Sequence, residues 1–147
     1  MVTHSILNKE NIVLNAQPKT KEEAIRLAGE VLVKQGYVAP AYVDAMLERE
    51  ELTSTYIGNN VAIPHGTEAA KALVKQSGIS IVQVPGGVDF GGGNTALIVI
   101  GIAGKDGEHL DILSKLALVC AEADNVEAMA NAKTEEDILA LLHEVNG

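Results

Sequence analysis

The sequence predicts a single α/β domain, in which a mixed, mostly parallel sheet of about five strands is covered by helices on both faces. Apolar β-branched runs alternate along the chain with segments of helical periodicity, as expected of strands joined by helices. One run, residues 96–103, shows no polar alternation, which is typical of a central strand buried on both faces. The chain has 147 residues, and no linker, repeat or low-complexity tract divides residues 1–147.

The first part of the chain predicts one strand and two helices. Turn formers flank a short strand at residues 11–15. Thr20 and Glu23 have the spacing of a capping box and predict the start of the first helix. Pro40 suits the first turn of the second helix, which carries Arg49 near its end.

The rest of the chain predicts the centre of the sheet and further helices. A β-branched strand is expected at residues 78–84, and a short edge piece at 88–90 lies between two glycine-rich turns. The buried strand at 96–103 is followed by a helix with His109 in its first turn. Thr134 caps the last helix.

The stretch at residues 61–67 carries the clearest chemical signal. Pro64 fixes its own φ and favours an extended conformation before it, so His65 is presented by stiff backbone at the end of a strand. Gly66 lets another molecule approach the main chain, and the amides of Gly66 and Thr67 begin a short helix that suits an anion. A nucleophilic imidazole beside an anion site indicates a histidine that carries a phosphoryl group. An ordinary turn histidine is the alternative.

Two further residues are candidates for the same site. His109 follows the central strand, and sites in α/β sheets gather at the carboxyl ends of strands. Arg49 has no acidic residue three or four positions away on its helix, so its guanidinium is available for an anion. A helix-capping role for His109 and an ordinary solvated role for Arg49 stay open on position alone.

Composition excludes several classes of function. The net charge is −9 and there is no Trp, which argues against nucleic-acid binding. The longest apolar run, residues 96–103, is too short to span a bilayer, and no signal peptide is visible, so we expect a cytoplasmic protein. Cys120, His4 and His143 are interpreted as structural. No metal is predicted, since no His-x-x-x-His or Cys-x-x-Cys spacing is present, although a zinc- or ligand-binding module remains an alternative.

The sequence resembles the mannitol/fructose IIA family of the sugar phosphotransferase system over nearly its whole length. Residues 57–66 fit the family's phosphorylation-site pattern throughout. The other matching stretches are residues 20–25, 36–38, 45–50, 99–103 and 108–109.

The resemblance implies a phosphohistidine carrier that needs no cofactor. It implies that His65 accepts phosphate on Nε2 from phospho-HPr and passes it to a cysteine of a mannitol IIB domain or IICB permease. It also implies that Arg49 and His109 line the pocket. Residue 59 is often acidic in the family, whereas here Asn59 would offer a hydrogen bond to phosphate or imidazole. A fructose-type or a regulatory IIA protein is the alternative.

Overall fold

In the computed structural model, which describes residues 6–105 and 107–142, five strands form one mixed sheet. The strand order is β1-β4-β5-β3-β2. The strands are β1 (Ile12–Val13), β2 (Tyr56–Gly58), β3 (Val61–Ala62), β4 (Gly78–Asp89) and β5 (Thr95–Ala103). The predicted fold class is confirmed.

Fewer strand pairs of the described sheet are parallel than the sequence predicts. The pairs β1–β4 and β3–β5 are parallel, whereas β2–β3 and β4–β5 are antiparallel. The longest pairing is antiparallel because a tight turn joins β4 to β5, and a hairpin connection permits no other direction. In that turn the Phe90 amide donates to the Asn94 carbonyl at 2.7 Å, as the glycine-rich segment predicts.

Strand β4 also continues further than predicted. Its backbone runs through Pro85-Gly86-Gly87, where the sequence predicts a turn, and Val88 still pairs with Ala96 of β5. The register shifts between Gln83 and Val88, so an irregularity replaces the expected break. Proline and glycine are tolerated inside strands at such bulges.

Helices cover both faces of the sheet. Helices α1 (Lys21–Lys34) and α2 (Tyr42–Leu52) pack on one face. Helices α3 (Glu108–Cys120), α4 (Ala123–Ala130) and α5 (Glu135–Leu141) pack on the other. The predicted cap of α1 is present, since the Thr20 hydroxyl accepts from the Glu23 amide at 3.2 Å. No described helix has the length and apolarity that a bilayer crossing requires.

Strand β5 is buried on both faces, as its sequence predicts. Ile98 and Ile100 point into the core beneath α3, α4 and α5, whereas Val99 points into the core beneath α1 and α2. Burial of each such side chain contributes about 1.5–3 kcal/mol to the stability of the folded state. The sheet is therefore a rigid middle layer from which a site can be positioned.

The carboxyl ends of β3 and β5 lie side by side because the two strands are parallel. Beyond β3 the chain stays extended, and the Ile102 amide donates to the Pro64 carbonyl at 3.0 Å. His65 then forms an isolated parallel bridge with Ile102. The stiff presentation of His65 at a strand end is thus confirmed.

Candidate functional site

A cleft of about 570 Å³ opens at this edge of the sheet. It lies between the end of α2, the segment after β3 and the start of α3. Its lining includes the predicted site residues Arg49, His65, Gly66, Thr67 and His109. Among the described residues, no group of three His, Cys, Asp or Glu side chains is arranged to hold a metal ion.

A backbone hydrogen bond sets the tautomer of the His65 ring. The ring is half-buried, and Nδ1 lies 2.9 Å from the Ile63 carbonyl oxygen. A carbonyl oxygen only accepts hydrogen bonds, so Nδ1 carries the proton. The lone pair is therefore on Nε2, which leaves that atom as the nucleophile.

The surroundings keep this imidazole neutral. Burial lowers the pKa of His65 below its usual value, and electrostatic repulsion from Arg49 and from His109 lowers it further. The hydrogen bond to Ile63 and the negative charge of Glu50 act in the opposite direction. Because the lowering effects dominate, His65 is neutral at physiological pH and its Nε2 lone pair is available.

Gly66 has a different role from the one predicted. Its amide donates to the Tyr42 hydroxyl at 2.9 Å, and that hydroxyl donates to the Ile102 carbonyl at 2.8 Å. A Cβ on Gly66 would lie 2.6 Å from Cε1 of Tyr42. The close approach that requires glycine is therefore made by the Tyr42 ring, and the Gly66 amide is not available to an anion. Burial raises the pKa of Tyr42, which keeps its hydroxyl protonated.

Thr67 remains at the cleft, where the sequence predicts it. It is half-buried and precedes a short 3-10 helix, Glu68–Leu73, for which it is the N-terminal cap residue. Its carbonyl accepts from the Ala70 amide at 3.0 Å. Of the two predicted backbone donors, only Thr67 stays a candidate, and anion binding by its amide remains a prediction.

The structure brings Arg49 and His109 to the cleft from two helix ends. Arg49 is in the last turn of α2, and its Nη1 donates to the Thr53 carbonyl at 2.7 Å. His109 is in the first turn of α3 and packs closely against Gly104. A Cβ added to Gly104 would lie only 2.3 Å from the Cβ of His109. Both side chains line the same cleft as His65.

Asn59 does not belong to the cleft. Its side-chain amide donates to the carbonyls of Cys120 and Ala121 at 3.0 and 3.1 Å, at the C-terminal end of α3. Since α3 has 13 residues, its two ends are about 20 Å apart. Asn59 and Asn60 have φ values of 49° and 67°, so they form the turn that reverses the chain between antiparallel β2 and β3. That reversal directs Asn59 to the helix end opposite His109.

Cys120 is buried in the core, as predicted. Burial raises the pKa of its thiol to about 11, so the thiol is neutral. His4 and His143, which the sequence interprets as structural, lie outside the described residues.

The sequence analysis did not predict two kinds of residue at the cleft. Leu52 and Leu110 line it with side chains that are 71% and 64% exposed. Glu50 is buried behind it at 5% exposure. One face of α2 carries Tyr42, Met46 and Glu50 at four-residue spacing. An acidic residue on such a buried helical stripe is the sequence signal that could have identified Glu50.

The fold and the cleft together define an α/β domain that presents a neutral, partly accessible imidazole beside a guanidinium and a second imidazole. The chain belongs to the family described as the phosphoenolpyruvate-dependent sugar phosphotransferase system, EIIA 2, whose model matches residues 5–145. Members of this family are phosphotransferase components.

Curated relatives support the same assignment. The chain is 64% identical over 141 residues to the mannitol-specific phosphotransferase enzyme IIA component of Geobacillus stearothermophilus, covering 96% of this chain and 97% of the relative. It is 57% identical over 141 residues to the component of the same name from Bacillus subtilis, covering 96% and 99%.

Solved structures share the fold. The IIA chain in the complex of enzyme IIAMTL and phosphorylated enzyme IIBMTL from Escherichia coli is 44% identical, with a TM-score of 0.90, covering 94% of this chain and 97% of that one. The crystal structure of IIA mannitol from Escherichia coli is 46% identical, with a TM-score of 0.87, covering 92% and 98%.

Proposed function

We propose that residues 1–147 act as one mannitol-type IIA domain, in which Nε2 of His65 carries a phosphoryl group from phospho-HPr to a cysteine of IIB. The observation that carries this proposal is the 2.9 Å contact between His65 Nδ1 and the Ile63 carbonyl, because it leaves Nε2 as the nucleophile. The names of the mannitol relatives and the E. coli complex support the sugar system and the acceptor. We place this exchange in the cytoplasm.

The chemical step is an in-line displacement at phosphorus. The Nε2 lone pair forms the new N–P bond as the bond between phosphorus and the donor atom of phospho-HPr breaks, and that donor atom keeps the electron pair. Nδ1 retains its proton throughout, held by the Ile63 carbonyl. The phosphorylated ring is then cationic, which makes it a good leaving group when the thiolate of IIB attacks phosphorus. This transfer uses no cofactor or metal.

The surrounding groups position the phosphate and share its charge. Arg49 supplies a permanent positive charge with a fork that suits phosphate oxygens. His109 adds a second imidazole from the first turn of α3. Thr67 is the backbone donor that we assign to the phosphate. The transition state of phosphoryl transfer is loose, so positioning and charge distribution account for most of the catalysis.

The surface around the cleft suits partners that dock in turn. Leu52 and Leu110 are exposed beside polar groups, an apolar centre with a polar rim of the kind that protein interfaces use. The net charge of −9 suits a basic docking face on HPr. Such steering weakens with salt, so on-rates from phospho-HPr that do not change with ionic strength would contradict it.

The proposal is tested by reconstituting the transfer from phosphoenolpyruvate through enzyme I and HPr. The protein should acquire an acid-labile, base-stable phosphate, and His65→Ala should abolish it. The variants His4→Ala and His143→Ala are matched controls and should label normally. Normal labelling of His65→Ala would contradict the assignment.

The second half of the reaction is tested with purified IIB domains. Labelled protein should transfer phosphate to a mannitol IIB, and His109→Ala should accept label but pass it on poorly. Preferred transfer to a fructose-type IIB would change the sugar assignment. Labelling without transfer to any IIB would indicate a regulatory IIA protein.

A further inference from the structure

Glu50 is a buried carboxylate directly behind the cleft. It is 5% exposed and follows Arg49 on α2. Its Oε1 accepts from the Thr55 amide at 2.9 Å and from the Thr55 hydroxyl at 2.6 Å. Within the described part of the chain, Oε2 accepts no hydrogen bond and lies 3.6 Å from Nζ of Lys21. A buried charge with one unsatisfied oxygen is costly, so a functional reason for it is expected.

Backbone hydrogen bonds connect this carboxylate to the reactive ring. The carbonyl of Thr55, whose amide is held by Glu50, accepts from the Ile63 amide at 3.0 Å. The carbonyl of Ile63 in turn accepts from Nδ1 of His65 at 2.9 Å. Glu50 therefore holds the backbone at Thr55, and this backbone holds the His65 ring through Ile63.

The charges near His65 act in opposite directions. Arg49 and His109 lower the pKa of His65, whereas Glu50 raises it. Lys21 reaches Glu50 from α1 with a side chain that is 30% exposed, so it compensates the carboxylate only from its outer side. The Glu50 charge is buried, and salt screens it less than the exposed charges at the rim of the cleft.

We propose that Glu50 is a positioning residue for His65, whose carboxylate anchors the backbone behind the ring and offsets the positive charge of Arg49. The inference rests on the proposed phosphoryl transfer. A negative charge behind the ring raises the free energy of the phosphorylated state relative to the free state. It therefore keeps phosphate from being held too tightly between donor and acceptor.

The decisive variant is Glu50→Gln, which keeps an oxygen acceptor for Thr55 and removes the charge. We expect the pKa of His65, measured by NMR titration without phosphate, to fall below that of the wild type. The equilibrium of transfer from phospho-HPr should shift toward the phosphorylated protein by roughly three- to tenfold, as expected of one partly screened charge. The rate of transfer to IIB should fall by a similar factor.

Lys21→Gln provides the opposite perturbation. It removes the positive charge beside Glu50, so the pKa of His65 should rise and the transfer equilibrium should shift toward the unphosphorylated protein. Glu30→Gln makes the same change of charge as Glu50→Gln at an exposed position of α1 and should change neither quantity. A merely structural role for Glu50 would not produce shifts of opposite sign.

The inference is overturned if Glu50→Gln leaves the pKa of His65 and the transfer equilibrium unchanged. It is also overturned if the variants of Glu50 and Lys21 shift them in the same direction. The titration needs no phosphate, so it separates the two hypotheses. Wild-type protein that titrates as expected but accepts no phosphate would contradict the proposed function and leave the coupling of Glu50 to His65 intact.

Discussion

The floor of the cleft and its rim are built in different ways. The floor consists of His65 and the groups that hold it, which are Tyr42, Ile63, Gly66 and Ile102. Hydrogen bonds of 2.8–2.9 Å join these residues to one another. The rim consists of Arg49, Leu52, His109 and Leu110, which come from the ends of α2 and α3.

This difference suits a surface that, as we propose, carries out one reaction and binds two partners in turn. The floor residues come from elements far apart in the chain, so a change in one displaces the others. The rim leucines are 71% and 64% exposed, so they contribute little to folding. We expect changes in the floor to affect stability and chemistry together, and changes in the two rim leucines to affect partner binding alone.

The largest effect is expected from Gly66→Ala. The new Cβ would lie 2.6 Å from the Tyr42 ring, and either the ring or the His65 segment must move. Overpacking of this kind costs about 1–3 kcal/mol, and we expect the rate of phosphorylation to fall at least tenfold. Chemical denaturation and the labelling rate measure the two effects.

Gly86→Ala is the matched control for that variant, because a Cβ added at Gly86 would meet no atom within 4 Å. It should leave the labelling rate unchanged. Equal losses in both variants would show that the floor is no more sensitive than the surface.

A smaller loss of labelling rate is expected from Tyr42→Phe, with a similar loss of stability. The change removes the hydroxyl that accepts from the Gly66 amide and leaves that amide without its partner. The loss should be about 1–3 kcal/mol of unfolding free energy, with slower labelling. Tyr56→Phe is the control, since the Tyr56 hydroxyl makes its hydrogen bonds at the exposed surface and should contribute less. If Tyr56→Phe costs as much as Tyr42→Phe, the special role of the floor is contradicted.

The rim is tested by Leu52→Asp and Leu110→Asp. Each should raise the KM for phospho-HPr several-fold, while the free energy of unfolding changes by less than about 0.5 kcal/mol. Leu118→Asp makes the same change at a leucine that is 73% exposed near the far end of α3, and its KM should stay at the wild-type value. A loss of stability in the rim variants would remove the distinction from the floor.

The smallest effect concerns the pH dependence of stability. The pKa of His65 is lower in the folded protein than its ordinary value of 6.5, so the unfolded chain binds more protons between the two values. This contribution is therefore present above pH 6.5 and is lost as the pH falls through the folded-state pKa. Denaturation of the wild type and of His65→Gln across this range should show a stability difference that shrinks on acidification; a constant difference would contradict the assigned shift.

Sequence signals predicted the parts of the molecule that local chemistry determines. The cap at Thr20, the buried strand at 96–103 and the stiff segment before His65 depend on neighbouring residues, and all are present. The contact of Tyr42 with Gly66 and Ile102 joins residues up to 60 positions apart, so no local pattern indicates it.

Asn59 shows the limit of interpreting a motif by proximity in sequence. It is six residues from His65, yet the turn between β2 and β3 sends it to the other end of α3. Its φ is positive, as in the turns of β-hairpins. The Asn-Asn pair therefore indicated a turn and not a phosphate-binding residue.

The central claim is that the floor presents Nε2 of His65 as the atom that is phosphorylated. Nitrogen-15 and phosphorus-31 NMR of the phosphorylated protein tests it most directly. We predict that phosphorus is bonded to Nε2 of His65 and that Nδ1 remains protonated. Phosphate on Nδ1, or on another histidine, would contradict the account.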